Sequence, residues 1–97
     1  MPAFPNSVTL ESRLVRSPDV LFQEVGGEAV LLDLASEQYF GLDPVGTRIW
    51  ELLDGEAPLA RIHHTLAAEY DAKPARIGED LLALAQTLLD AGLVQPR

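Results

Sequence analysis

A change of period near the middle of the chain predicts an α+β fold, three antiparallel strands followed by three helices. Before residue 43 the apolar residues come in short β-branched and aromatic runs, punctuated by Gly26-Gly27 and by Ala35-Ser36. After it they recur every three or four residues, and each recurrence follows a proline: Pro44, Pro58 or Pro74. With 97 residues, 47% of them apolar, and no internal repeat, the chain has the length of one domain with one modest core.

Residues 1–7 hold two prolines with Asn and Ser and no periodicity, the composition of a flexible tail. Over residues 8–16, Val8, Leu10 and Leu14 fall at even spacing, but Glu11, Ser12 and Arg13 interrupt them. Residues 1–17 therefore read as a tail that can include an irregular edge strand, and residues 18–97 as the domain. The runs "VLFQEV" and "EAVLLDL" flank Gly26-Gly27, a pair suited to the positive φ of a tight hairpin. A second turn at Ala35-Ser36 leads into "EQYFGL". Alternation sets Gln38, Phe40 and Leu42 on one face of this third strand and Glu37, Tyr39 and Gly41 on the other.

Proline at the first helical position fits all three later runs. Asp43 is a suitable N-cap for the first helix, whose Val45, Ile49, Leu52 and Leu53 make a stripe ended by Asp54-Gly55. The second helix, residues 58–70, carries Leu59, Ile62, Leu66 and Tyr70 on one face, with Arg61, His64 and Glu69 elsewhere. The third, residues 74–91, has Glu79 and Asp80 near its positive end and Gly92 in place for a left-handed cap. Its Ile77, Leu81, Leu82, Leu84, Ala85, Leu88 and Leu89 are more than one core contact requires. Two accounts fit this excess: Leu82 and Leu89 complete the core under the sheet while Leu81, Leu84 and Leu88 meet the other helices, or one stripe stays open beside a sheet edge as a slot for an extended peptide.

No catalytic or metal-binding constellation emerges. The chain has no cysteine, which removes disulfides, thiolate metal sites and a Cys nucleophile and suits a reducing cytoplasm. His63 and His64 are adjacent on a helix, so their side chains diverge and cannot share a metal as an i, i+4 pair does. The carboxylates are scattered rather than paired, and Gly26-Gly27 opens no phosphate loop. Trp50, beside Ile49 and Leu53, reads as a core anchor, whereas Tyr39 points away from a packed layer, toward a ligand or water. Fifteen acidic against seven basic residues give a net charge of -8, which repels nucleic acid. Seven carboxylates lie between Glu28 and Glu56 with Arg48 as the one cation, so a partner chosen by charge is basic. No segment nears the roughly 20 apolar residues that span a bilayer, and the N-terminal stretch has no apolar signal region. These features predict a cytoplasmic protein without membrane contact.

Three strands ahead of three helices, the last two joined by a short turn, describe a winged helix-turn-helix with the sheet placed first. The segments "VLFQEVGGEAVLLDLASEQYFGLDPVGTRIWELLDG", "PLARIHHTLAAEYD" and "EDLLALAQTLLDAGLV" resemble PqqD-like proteins, also called precursor recognition elements of ribosomally made, modified peptides. The resemblance covers residues 18–95 and rests most on Leu31-Leu32-Asp33, Tyr39-Phe40-x-Leu42, the run from Ile49 and Trp50 through Gly55, and the ending from Glu79 to Gly92-Leu93. It implies a cofactor-free module, inactive alone, that binds the leader of a precursor peptide as an antiparallel strand on its own third strand. Carried over, the peptide site is the strand Glu37, Gln38, Tyr39, Phe40, Gly41 and Leu42, with Leu81, Leu84, Ala85 and Leu88 lining the groove and Asp80 facing a leader Lys or Arg.

"YFGLDPVGTRIW" looks closest to the stand-alone proteins of lasso-peptide pathways, which implies a transglutaminase-like leader peptidase and an ATP-dependent cyclase as companions. A chaperone in a radical SAM pathway, with an iron-sulfur enzyme as companion, is the alternative. Many members have Leu-Asn where this chain has Leu42-Asp43, still a competent cap. Two other classes compete: a DNA-binding regulator, opposed by a third helix with Arg76 against Glu79, Asp80 and Asp90, and a self-associating domain using the same sheet edge.

Overall fold

The chain runs β1 (Leu14–Arg16), β2 (Val20–Val25), β3 (Glu28–Asp33), β4 (Gln38–Leu42), α1 (Pro44–Leu52), α2 (Leu59–Glu69), α3 (Pro74–Asp90) and β5 (Val94–Pro96). This is the α+β order that the periodicities predict, with a second small sheet added. It is taken from a computed structural model that describes residues 8–26 and 28–97; the tail expected over residues 1–7 and the second turn glycine, Gly27, lie outside the described residues.

Both hairpins close where the turn residues place them. β2 pairs antiparallel with β3 from Val20↔Asp33 to Val25↔Glu28, and Gly26 takes a φ of 61° at the tip. β3 pairs with β4 from Asp33↔Gln38 to Ala29↔Leu42, so the order is β2-β3-β4 and β4 is an edge. The intervening turn explains Asp33, a buried carboxylate on the inner face: it accepts hydrogen bonds from the Ala35 N–H at 3.1 Å and the Ser36 hydroxyl at 2.8 Å. Glu37, expected to open the strand, instead ends this turn with a φ of 60°, and its N–H donates to the Asp33 carbonyl at 2.7 Å. The left-handed conformation breaks the extended geometry, so the strand begins one residue later.

One sheet face bears Ala29, Leu31 and Leu42, all buried, with Phe22 and Phe40 packed beside them. The helices cover it with Ile49, Trp50 and Leu53 from α1 and its end, Leu59, Ile62 and Leu66 from α2, and Ile77, Leu81, Ala85 and Leu88 from α3. Trp50 is the core anchor its neighbours predict. α1 starts as expected, with Pro44 in its first turn and the Asp43 carboxylate accepting the Gly46 N–H at 2.6 Å. α2 does not: Pro58 is its cap, not its first residue, and offers no side-chain bond. Its free N–H groups find backbone partners upstream, Leu59 donating to the Ser12 carbonyl at 2.9 Å and Ala60 to that of Leu10 at 2.7 Å. At the far end of α3, Gly92 takes the left-handed φ of 77° that a helix stop requires.

Those upstream contacts bring the N-terminal stretch into the fold ahead of residue 18. β1 pairs with the C-terminal β5, Leu14↔Pro96 to Arg16↔Val94, and Leu14 is fully buried. Gly55, at φ 80°, fits against this second sheet so closely that a β-carbon there would lie 3.0 Å from Val15 and from Arg97. On the outer side of α1 and α2, the Arg48 guanidinium grips Glu69 through two hydrogen bonds of 2.9 and 2.7 Å.

Two stability predictions follow from these contacts. Gly55→Ala combines left-handed strain with a steric clash and is expected to lower unfolding free energy by about 1–3 kcal/mol in urea titration. The hydrogen bond from Arg48 holds the Glu69 carboxyl below its ordinary pKa of 4.5. Its stabilisation is therefore complete above pH 4.5 and lost as pH falls through the lower folded value. The urea midpoint of Glu69→Gln is expected to fall less steeply than the parent's below pH 4.5.

Candidate functional site

The outward edge of β4 carries the chemistry of the site, and its hydrogen-bonding residues follow from the hairpin register. A two-residue loop is closed by a hydrogen-bonded pair, here Val25↔Glu28, and the antiparallel ladder alternates from there. On β3 the even-numbered residues bond toward β2, and Leu34 continues the alternation by donating to the Asp19 carbonyl at 2.9 Å. Ala29, Leu31 and Asp33 therefore bond toward β4, where their partners are Leu42, Phe40 and Gln38. By elimination, the N–H and C=O groups of Tyr39 and Gly41 point away from the sheet.

Beside this edge runs an open groove of about 460 Å³. One wall is Phe40, Gly41 and Leu42; Val45, Gly46 and Ile49 of α1 form the floor; Asp80, Ala83 and Leu84 of α3 form the other wall. Gly46 lies where α1 passes α3: a β-carbon there would lie 3.1 Å from the Asp43 carboxylate and 3.4 Å from the Leu42 and Leu84 side chains. The groove continues past Asp43 into a second concavity of about 390 Å³ bordered by Glu28 and Pro44. A smaller hollow of about 30 Å³ lies at the other end, between Gln38, Tyr39 and Phe40 and the residues after α3, Ala91 and Leu93. Gly41 has open space where a side chain would stand, so among the described residues none shields the edge there. Asp80, exposed at the rim, has the Arg76 guanidinium 3.5 Å away.

The structure brings together Phe40, Gly41, Leu42, Asp80 and Leu84 from the expected site, with Gln38 and Tyr39 at one end. It removes Glu37 to the turn. Leu81, Ala85 and Leu88 are expected in the groove but have no exposed surface: they form the stripe of α3 that packs on the core, with Leu82 and Leu89 partly buried around them. Leu84, at the margin of that stripe, is the α3 leucine that the groove reaches. Sequence reasoning missed Val45, Gly46, Ile49 and Ala83; the signal for Ala83 was its position three residues after Asp80, on the same helix face.

Among the described residues no group of His, Asp and Glu is arranged to hold a metal, and no helix is long and apolar enough to cross a membrane. His63 has a structural partner instead: its Nε2–H donates to the Pro74 carbonyl at 2.6 Å, with the ring lying against Gly78. A groove with a strand edge along one wall and an apolar helix along the other is suited to bind extended backbone.

Residues 28–94 match the family described as Coenzyme PQQ synthesis protein D (PqqD). The chain belongs to the PqqD family. A relative named PqqA binding protein, from Rhodopseudomonas palustris (strain HaA2), is 37% identical over 90 residues, 91% of this chain and 86% of its own length. Two solved structures share the PqqD-like fold. One, described as TbiB1 in complex with the TbiA(beta) leader peptide, has a TM-score of 0.74 at 33% identity, covering 84% of this chain and 94% of that one. The other, a lasso peptide synthetase B1 complexed with the leader peptide, has a TM-score of 0.73 at 27% identity, covering 89% and 99%.

The alternation along this PqqD-family edge strand is directly measurable. In amide hydrogen exchange of the free protein, Tyr39 and Gly41 are expected to exchange fast while Phe40 and Leu42, bonded to β3, are protected. Equal protection at all four positions would mean a different register.

Proposed function

We propose that this chain is a non-catalytic module that captures the leader of a ribosomally made precursor peptide and delivers it to modifying enzymes. The observation that carries the reading is the free edge of β4, with Tyr39 and Gly41 facing outward beside an apolar groove. The leader adds as an antiparallel strand, exchanging backbone hydrogen bonds with those two residues, and its side chains enter the groove against Leu84, Ala83 and Ile49. Backbone pairing tolerates many sequences, and the groove supplies selection. Asp80 and Asp43 at the rim favour a leader with a Lys or Arg near the paired segment.

Two kinds of similarity support this. The relative named PqqA binding protein is a peptide binder by its name, and both solved structures hold leader peptides. The lasso-type likeness favours a leader peptidase and an ATP-dependent cyclase as the enzymes served, in the cytoplasm where precursors are made. A radical SAM enzyme is the alternative, since the family is described by coenzyme PQQ synthesis.

The test is a fluorescence-polarisation titration of a labelled synthetic leader, taken from the precursor encoded beside this chain, with duplex DNA as control. Saturable binding at micromolar Kd or tighter, about -8 kcal/mol or stronger, is expected with the leader and none with DNA. Leu84→Arg places a charge in the groove and Gly41→Pro deletes an outward donor; each is expected to weaken leader binding by about tenfold or more, ~1.4 kcal/mol. If both variants remain folded by circular dichroism and bind like the parent, the groove is not the site.

A further inference from the structure

The four large apolar side chains most exposed among the described residues are Leu21 at 45%, Val25 at 66%, Leu34 at 52% and Tyr39 at 74%. All four lie on one surface. The register aligns Leu21, Leu32 and Tyr39 across the three strands, on the face opposite Phe22, Leu31 and Phe40. Val25 and the half-buried Val30 share that outer face, and Leu34 continues the alternation one residue past β3. Scattered exposed apolar residues need no explanation, but a set gathered on one sheet face that no described element covers does.

We propose that this outer face docks a protein whose contact patch is apolar and ringed by Lys and Arg. Residues 17–47, which contain the whole β2-β3-β4 sheet, hold six carboxylates and no Lys or Arg. Asp19, Glu28 and Glu37 are exposed around the sheet. Two copies apposed through this face set carboxylates against carboxylates, so charge disfavours a homodimer and selects a basic partner. Tyr39 links the face to the groove, because its side chain stands on the outer surface while its backbone faces the free edge. A protein seated there lies next to a peptide held along β4. Resting on the leader-capture reading, the partner is the enzyme that acts on the captured peptide.

The test titrates each purified peptide-modifying enzyme encoded beside this chain against the parent and against Leu21→Lys/Val25→Lys by calorimetry, with sedimentation of both proteins. These positions are on β2, the edge away from the groove, and both are exposed, so leader binding serves as an independent control. One enzyme is expected to bind the parent, and binding is expected to weaken by about tenfold or more in the double variant and on raising salt from roughly 50 to 300 mM. Leader affinity is expected to be unchanged. Enzyme binding equal to the parent's in this variant and in Leu34→Lys overturns the proposal. So does the absence of binding by any of the enzymes, or a parent that sediments as a dimer while the variant is a monomer. Enzyme docking that is lost in the variants while the parent binds no leader supports the docking face and counts against leader capture alone.

Discussion

The hydrogen bond from the Gly46 N–H to the Asp43 carboxylate, at 2.6 Å, is the constraint from which the rest of the site follows. It occupies the one residue between the end of β4 and the start of α1, so the chain leaves the sheet with no intervening loop. A longer connection could fold back along β4 and cover its outer edge. Here the chain turns away into a helix, and the backbone of Tyr39 and Gly41 is left without a partner among the described residues. The same junction places Gly46 beside Leu84, where the floor of the groove meets its α3 wall.

An edge that offers only two outward residues can supply few backbone bonds, each worth roughly 0.5–1.5 kcal/mol net. Ordering an extended peptide opposes that gain. In the proposed mode, affinity and choice then come from apolar side chains entering the groove. Leu81, Ala85 and Leu88, fully buried, serve this proposed mode from within the core, where they anchor α3 beside the groove.

The parts of this fold legible in the sequence are those with a period. Alternation across Gly26-Gly27 specified the hairpin, and the i, i+3, i+4 spacing after Asp43 specified the helices. β5 was not legible, since three residues have no measurable period and its partner β1 is at the other end of the chain. The role of Pro58 was hidden for a related reason: the groups that satisfy α2 are backbone carbonyls at Leu10 and Ser12, which carry no side-chain signature. In α3 the apolar residues cover so much of the circumference that the sequence left two stripes open. Burial chose between them, placing Leu81, Ala85 and Leu88 inside, while Glu37 was misplaced because left-handed backbone in a non-glycine residue has no compositional mark.

Pairing β1 with β5 sets Leu14 opposite Pro96, while the described chain begins at Val8, whose N–H donates to the Gln86 side chain of α3 at 3.0 Å. None of the residues lining the main groove comes from either end strand. A covalent extension after β5 would thus leave from a strand that lines no part of the main groove. With a second protein joined after β5, the domain would keep its groove residues where they are. Tethering would change its effective concentration at an enzyme and leave its intrinsic affinity for a strand untouched.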